Sequence, residues 1–393
     1  VDFTLDETQS ELRALAGDLL GREAATERIE AHEAGGAPYD AGLWRSLAQA
    51  GLLGACLPEE AGGAGLGPVE AAVLLREAGA HVAPAPLLAS LVAGLAVARH
   101  GSPEQRAALA PLAEGRAVLT AALRGPGRDL GAAPTVTARL ADGPDPAGEP
   151  GAGSVPGPAG EPGAAPVVTA RPGHGGWLLT GRAGTVPYAA QASAILVPAA
   201  TADGVGLFLV APGAATLRPV RVSTGEPAAT LALHDSPAEP VGGPDGRAAA
   251  DLRLLALAGI VAVASGVLAG ALALTTEHIR SRRQFGRALA EFQAVTVQIA
   301  DVYIAARTLD VAMWSGVWRL AEGMDSEAEA DLSVAALTVT DAALAALHTC
   351  QHLHGGIGLD VAYPLHRHFA WGKHHAHLLG GVEARLDAIG ALL

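Results

Sequence analysis

Apolar and polar positions follow two rhythms along this chain, and the rhythm changes twice. Over residues 4–22, Leu12, Leu15 and Leu19 recur on one face, which predicts an amphipathic helix. Thr4-x-x-Glu7 at its start predicts a capping box. Helical spacing predicts further helices over about 41–52, 68–79, 84–100 and 103–114. The last opens on Ser102, Pro103 and Gln105, a cap with proline at the first helical position. LPEEAGGAGLG (57–67) reads as a glycine-rich loop, and no strand pattern precedes about residue 117.

From there, short apolar runs bounded by Gly, Pro and Asp take over: VLTAAL, VTARL, GWLLTG, SAILVPAA, GLFLVAPG, TLRPVRVS and TLALH. They predict a small antiparallel β domain. Within it, GPDPAGEPGAGSVPGPAGEPG has too little to bury and is expected to form a surface loop at about 141–165. An internal repeat flanks it, GAAPTVTAR (131–139) and GAAPVVTAR (163–171), read as a duplication that lengthened the loop. After residue 248 the helical rhythm returns. The expectation is an α+β chain with an N-terminal helical domain (1–117), a central antiparallel β domain (118–247) and a C-terminal helical region (248–393).

Composition adjusts this picture. The 393 residues are half apolar but only 4% aromatic, so the core must rely on close helix–helix approach through Ala and Gly. A net charge of −14 argues against nucleic acid or an anionic membrane as partner. Cys56 and Cys350 make no disulfide framework or metal spacing, and a reducing cytoplasm fits them. The acidic N-terminal stretch does not read as a signal peptide. LLALAGIVAVASGVLAGALALTT (254–276) is uncharged, long enough to cross a bilayer, and contains Gly266-x-x-x-Gly270. Its small residues carry little transfer energy, so a buried central helix is expected.

No GxGxxG after a strand, GxxxxGK(S/T), GxSxG, HExxH or paired CxxC is present. Histidine is concentrated instead: eight of fourteen lie between His348 and His377, including His348/His352 and His352-x-His354. Hydrogen-bonding and interface roles are expected rather than a metal site.

DFTLDETQSELR, LWRSLAQAGLLGACLPEEAGGAGLG, RRQFGRALAEFQAV and QHLHGGIGLDVAYPLHRHF, taken in order, resemble the acyl-CoA dehydrogenase pattern across nearly the whole chain. The resemblance implies a C-terminal four-helix bundle, FAD, and tetramers built as pairs of dimers. The family reaction removes an α-proton to a glutamate and a β-hydride to the flavin, so base and ring face each other across the substrate. The two places where the family puts that glutamate fall here on Leu379 and Ala256, and neither accepts a proton. Residues 122–129 read ALRGPGRD where relatives carry TEPxxGSD, so Ala122 and Arg128 replace a Thr and a Ser. Thr185-Val186-Pro187 stands where relatives have Trp-x-Thr.

The motif that grips the ADP end of a neighbour's FAD falls on Arg282, Gln284, Phe285, Phe292, Gln293, Gln351, Gly355 and Gly356. A guanidinium forks to a pyrophosphate, and glycines admit close backbone approach. Gly286 interrupts what otherwise reads as a helix. Phe285, Leu289 and Phe292 at helical spacing would also make a core stripe, which leaves Arg282 and Gln284 unexplained. The chain is therefore expected to resemble the non-catalytic subunit of an α2β2 acyl-CoA dehydrogenase, of the kind actinobacteria use on steroid side-chain CoA thioesters. No catalytic residue and no metal is expected, and a homologous subunit is expected to supply the base and hold the acyl-CoA. The alternatives are a self-sufficient enzyme whose base is Glu383, or less favourably Asp360 or Glu291, and a cofactor-free binding protein on the same fold.

Overall fold

The structure is a computed structural model that describes residues 3–140, 176–243 and 245–392. The expected surface loop and the second copy of the repeat lie outside the described residues.

The chain begins with helices α1 (Glu7–Glu23), α2 (Thr26–Gly35), α3 (Ala41–Gln49), α4 (Pro68–Ala80), α5 (Leu87–His100), α6 (Pro103–Ala107) and α7 (Ala110–Ala113). The cap of α1 is Asp6 rather than the expected Thr4. Its Oδ1 accepts from Gln9 N at 2.8 Å, and Gln9 Oε1 accepts from Asp6 N at 3.1 Å. The helix expected over 103–114 is two helices, because Pro111 has no N–H to continue the ladder. The Ser102–Gln105 cap does form, with Gln105 N donating to Ser102 Oγ at 3.2 Å.

Among the described residues seven strands follow: β1 (Leu119–Ala121), β2 (Val136–Leu140), β3 (Trp177–Pro187), β4 (Ala194–Thr201), β5 (Gly204–Val210), β6 (Thr216–Arg221) and β7 (Pro227–Val241). Most pairings are antiparallel, as expected, but β4 pairs in parallel with both β1 and β2. The path β4-β2-β3-β7-β5 closes on itself because β5 also pairs with β4. A second apolar core, including Leu179, Ile195, Val197, Phe208 and Leu233, fills it.

The C-terminal region comprises α8 (Arg247–Ser281), a hairpin of β8 (Arg283–Gln284) and β9 (Arg287–Ala288), then α9 (Gln293–Ala321), α10 (Asp325–Thr338), α11 (Leu344–His354), α12 (Leu365–Leu378) and α13 (Gly381–Gly390). Helix α8 is long and apolar enough to span a membrane, yet 89% of its apolar window is buried inside the protein. Its small residues let α4 pack against it. A Cβ on Gly79 would strike the Val263 carbonyl, and one on Gly266 the Arg76 carbonyl. The contact is pinned by polar groups: Arg76 bonds Asp310 of α9 at 3.2 Å and Ser265 at 3.1 Å. Ser265 also donates to Asp310 at 2.5 Å. Arg99 and His100 on α5 hold the buried Asp251 at 3.1 and 2.8 Å.

Candidate functional site

Helix α8 stops where Arg282 turns to extended backbone, its N–H still donating to His278 O at 2.8 Å. The chain then forms a two-residue hairpin rather than continuing as a helix. Phe285 (φ 50°) and Gly286 (φ 79°) occupy the turn. Both central residues of such a turn need positive φ, so Gly286 serves the turn and not a helix. Phe285 is 91% exposed, so the alternative reading as a core stripe does not hold. Its ring lies edge-on to Phe292 at 6.4 Å, and the Arg287 guanidinium sits 3.9 Å from the Phe292 ring centroid.

An open pocket of about 1190 Å³ lies beneath this hairpin. The structure brings Arg282, Gln284, Gly355 and Gly356 to its wall, together with His278 and His354, which sequence reasoning had not assigned. Phe285, Phe292, Gln293 and Gln351 do not line it. Phe292 caps α9, Gln293 is exposed at the first position of that helix, and Gln351 donates to Gly358 O at 3.4 Å. Gly355 ends α11 at φ 64°, ψ −141°, a conformation that favours glycine. Among the described residues, no carboxylate lines the pocket. Its charge is the Arg282 guanidinium, so the pocket is furnished for an anion.

A second, mostly apolar cavity lies between α4, α5, α8, α12 and the sheet. Ala256, one of the two expected base positions, is on its wall; Leu379, the other, is fully buried. Thr185 and Pro187 line the sheet side. Arg124 reaches across to α12, where Nη1 donates to His377 O at 3.3 Å and Leu378 O at 3.4 Å. On this wall Pro187 has no N–H and a guanidinium holds the end of α12, while Ala122 is buried without a hydroxyl and faces a different pocket.

Glu383 is exposed on α13 and does not line this cavity. Asp360 accepts from Ala362 N at 2.9 Å and Glu291 from Ala288 N at 3.0 Å, both as local caps. The carboxyl on the cavity wall is Glu226, unnoticed in the sequence. It accepts from Tyr188 Oη at 3.0 Å and Thr224 Oγ1 at 2.9 Å. Burial holds its pKa above the ordinary carboxylate range. Tyr188 carries φ 52°, so this contact is made by a strained residue. Opposite lie two histidines of α12. Burial lowers His374 to about 4, helped by Arg124 and His377. Burial, then His374, lowers His375 to about 3.

His368 bonds Ala80 O at 3.1 Å and Pro364 O at 3.3 Å, and His348 meets Phe369 edge-on at 4.8 Å. Among the described residues, no group of three or more His, Cys, Asp or Glu is placed to hold a metal ion.

Residues 6–116 match the acyl-CoA dehydrogenase N-terminal domain and residues 255–393 the acyl-CoA dehydrogenase C-terminal domain. Acyl-CoA dehydrogenase FadE28 of Mycobacterium tuberculosis is 37% identical over 361 residues, covering 88% of this chain and 91% of that one. FadE27 of the same organism is 33% identical over 404 residues, covering 99% and 98%. Among solved structures, a variant of the Tcur3481-Tcur3483 steroid ACAD superposes with a TM-score of 0.85 at 38% identity, covering 99% of this chain and 98% of that one. The ChsE4-ChsE5 complex from Mycobacterium tuberculosis gives 0.84 at 31% identity, covering 100% and 98%. This chain belongs to the acyl-CoA dehydrogenase family.

Proposed function

We propose that this chain is the non-catalytic member of a two-chain acyl-CoA dehydrogenase. It holds the ADP end of an FAD whose ring works in a pocket of a homologous partner. The observation that carries this is the unequal equipment of the two cavities. The pocket under the hairpin presents Arg282, Gln284 and the backbone of Gly355 and Gly356, with no carboxylate to repel a diphosphate. The apolar cavity has alanine at one of the family's base positions, and the leucine at the other is buried in the core.

When bound, FAD supplies the acceptor for the β-hydride. This chain's part is to bind and orient: Arg282 forks to the diphosphate, and the glycines bring backbone close to it. The α-proton goes to a carboxylate on the partner. Glu226 is a poor substitute, since burial favours its neutral form and both its oxygens already accept hydrogen bonds.

The substrate class is a steroid side-chain CoA thioester held mainly by the partner, in an α2β2 assembly. The steroid ACAD and the ChsE4-ChsE5 complex support that reading as relatives over nearly the full chain. Two buried free cysteines suit a reducing cytoplasm. The test is flavin content after purification of the chain alone and with a homologous partner that carries an intact glutamate. One FAD per pair, bound only when both chains are present, is expected. Arg282→Ala should strip it, with a loss of about tenfold or more in affinity for the charge-assisted bonds removed. A lone chain that is fully loaded with FAD and desaturates an acyl-CoA would refute the proposal.

A further inference from the structure

The pocket under the hairpin holds a second basic group that the family motif does not name. His278 sits on the last turn of α8, one turn before Arg282. Its ring lies nearly flat on His354 of α11, with centroids 4.3 Å apart and planes 23° from parallel. Both line the pocket.

The two rings are in different chemical situations. His354 is buried and uses both nitrogens: Nδ1 meets Cys350 O at 2.8 Å and Nε2 meets Tyr363 Oη at 3.2 Å. A carbonyl only accepts, so Nδ1 carries the proton and Nε2 of the neutral ring accepts from the tyrosine. His278 is half-buried and its ring makes no hydrogen bond among the described residues. Its neighbours are Arg282 just past the end of its own helix, His352 and His354 on α11, Tyr363 beyond them, and the neutral Gln284 and Gln298 from the hairpin and α9. None is an acid.

We propose that His278 is a further ligand of the anion that enters this pocket and that it takes up a proton as the anion binds. The inference rests on the dinucleotide reading above and adds to it a residue and a proton. In the empty pocket everything near His278 opposes its charge: burial first, then His354 and Arg282, hold its pKa below the ordinary histidine value. A dianionic diphosphate reverses that balance, since an opposite charge within about 4–6 Å raises a pKa by roughly 1–3 units. The stacked, neutral His354 fixes the plane of the His278 ring. The sign follows from linkage. The bound state holds more protons than the free state, so affinity rises as pH falls between the free and bound pKa values, by up to about tenfold per unit.

The test adds ADP-ribose, whose diphosphate is a diester and keeps its charge from pH 8 to pH 5.5, to the flavin-free complex of this chain with its homologous partner. Binding is followed by titration calorimetry at both pH values, and at pH 7 in two buffers of different ionisation enthalpy. Wild type should bind about tenfold or more tightly at pH 5.5 and show proton uptake at pH 7. His278→Gln, which keeps a hydrogen-bonding group, and His278→Phe, which keeps the stacked ring, should both lose the pH slope and the uptake. A slope or uptake that persists in either folded variant would overturn the role of His278 and leave the dinucleotide reading standing. Failure of wild type to bind ADP-ribose at any pH would overturn both.

Discussion

Acid should unfold this protein through the two buried histidines of α12, and His375 is the residue on which to measure it. Its ring is 2% exposed, between Trp371 at 5.7 Å and His374 at 5.8 Å. Folding lowers His375 to about 3 and His374 to about 4, against about 6.5 in an unfolded chain. The unfolded chain therefore binds these protons first, and stability falls as pH drops below about 6.5. Each histidine costs roughly 1.4 kcal/mol per pH unit until its folded pKa is reached. At pH 5 that is about 2 kcal/mol apiece and about 4 kcal/mol together, a large share of a typical folding free energy. Glu226 and Glu77 are raised by burial and act oppositely: their stabilisation is lost as pH rises through their folded values. His368, lowered by burial, adds to the acid sensitivity. A difference measurement cancels all three. Urea denaturation of wild type and His375→Leu at pH 7 and pH 5, at fixed protein concentration, gives the two pH gaps. The gap in His375→Leu should be smaller by about 2 kcal/mol. Equal gaps would show that His375 is solvated or protonated in the folded state and would sink the reasoning.

Two further substitutions test the packing. Gly266→Val drives a side chain into the Arg76 carbonyl across the α4–α8 contact and should cost about 3 kcal/mol, read as a lower thermal midpoint with unchanged helix content. Phe285→Gly relieves a positive-φ aromatic in the hairpin turn and should stabilise the lone chain by about 1 kcal/mol; in the two-chain complex it should weaken flavin retention.

Much of the fold could be read from apolar spacing because most elements carry several buried anchors. Helix α5 buries Leu87, Leu91, Val92, Leu95 and Val97, and the predicted apolar runs each contain a strand. Helix α2 was missed for the converse reason: in TERIEAHEAG only Ile29 is buried, and one anchor makes no stripe. The parallel pairings of β4 depend on which strands meet in space, which a local rhythm does not record. In the hairpin, Phe-Gly lacks the Asn-Gly or Asp-Gly signal that marks such turns, so the segment kept its helical reading. Arg282, Gln284, Gly355 and Gly356 could be placed together through the family pattern. His278 could not, because a lone histidine at the end of a helix carries no motif. Glu226 was hidden by the opposite problem: a glutamate beside Gly and Pro between two strands reads as solvent-facing, and only the fold brings it to Tyr188 and the cavity wall.

The strained residues bear on the proposed division of labour. Tyr188 and Phe285 both hold positive φ, at a cost of roughly 1–2 kcal/mol each for a residue with a side chain. For Tyr188 the compensation is internal: its hydroxyl bonds Glu226 and its buried ring meets Tyr39 at 6.2 Å. For Phe285 the visible return is small, one edge-on contact with Phe292 while nearly all of the ring stays in solvent. A side chain that is strained in the turn and unburied is not explained by the stability of the lone chain. It is explained if the ring is buried in the assembled pair, beside a pocket built for the far end of a shared cofactor. On that account the hairpin is shaped for the complex, and the cost of its turn is met when the second chain covers it.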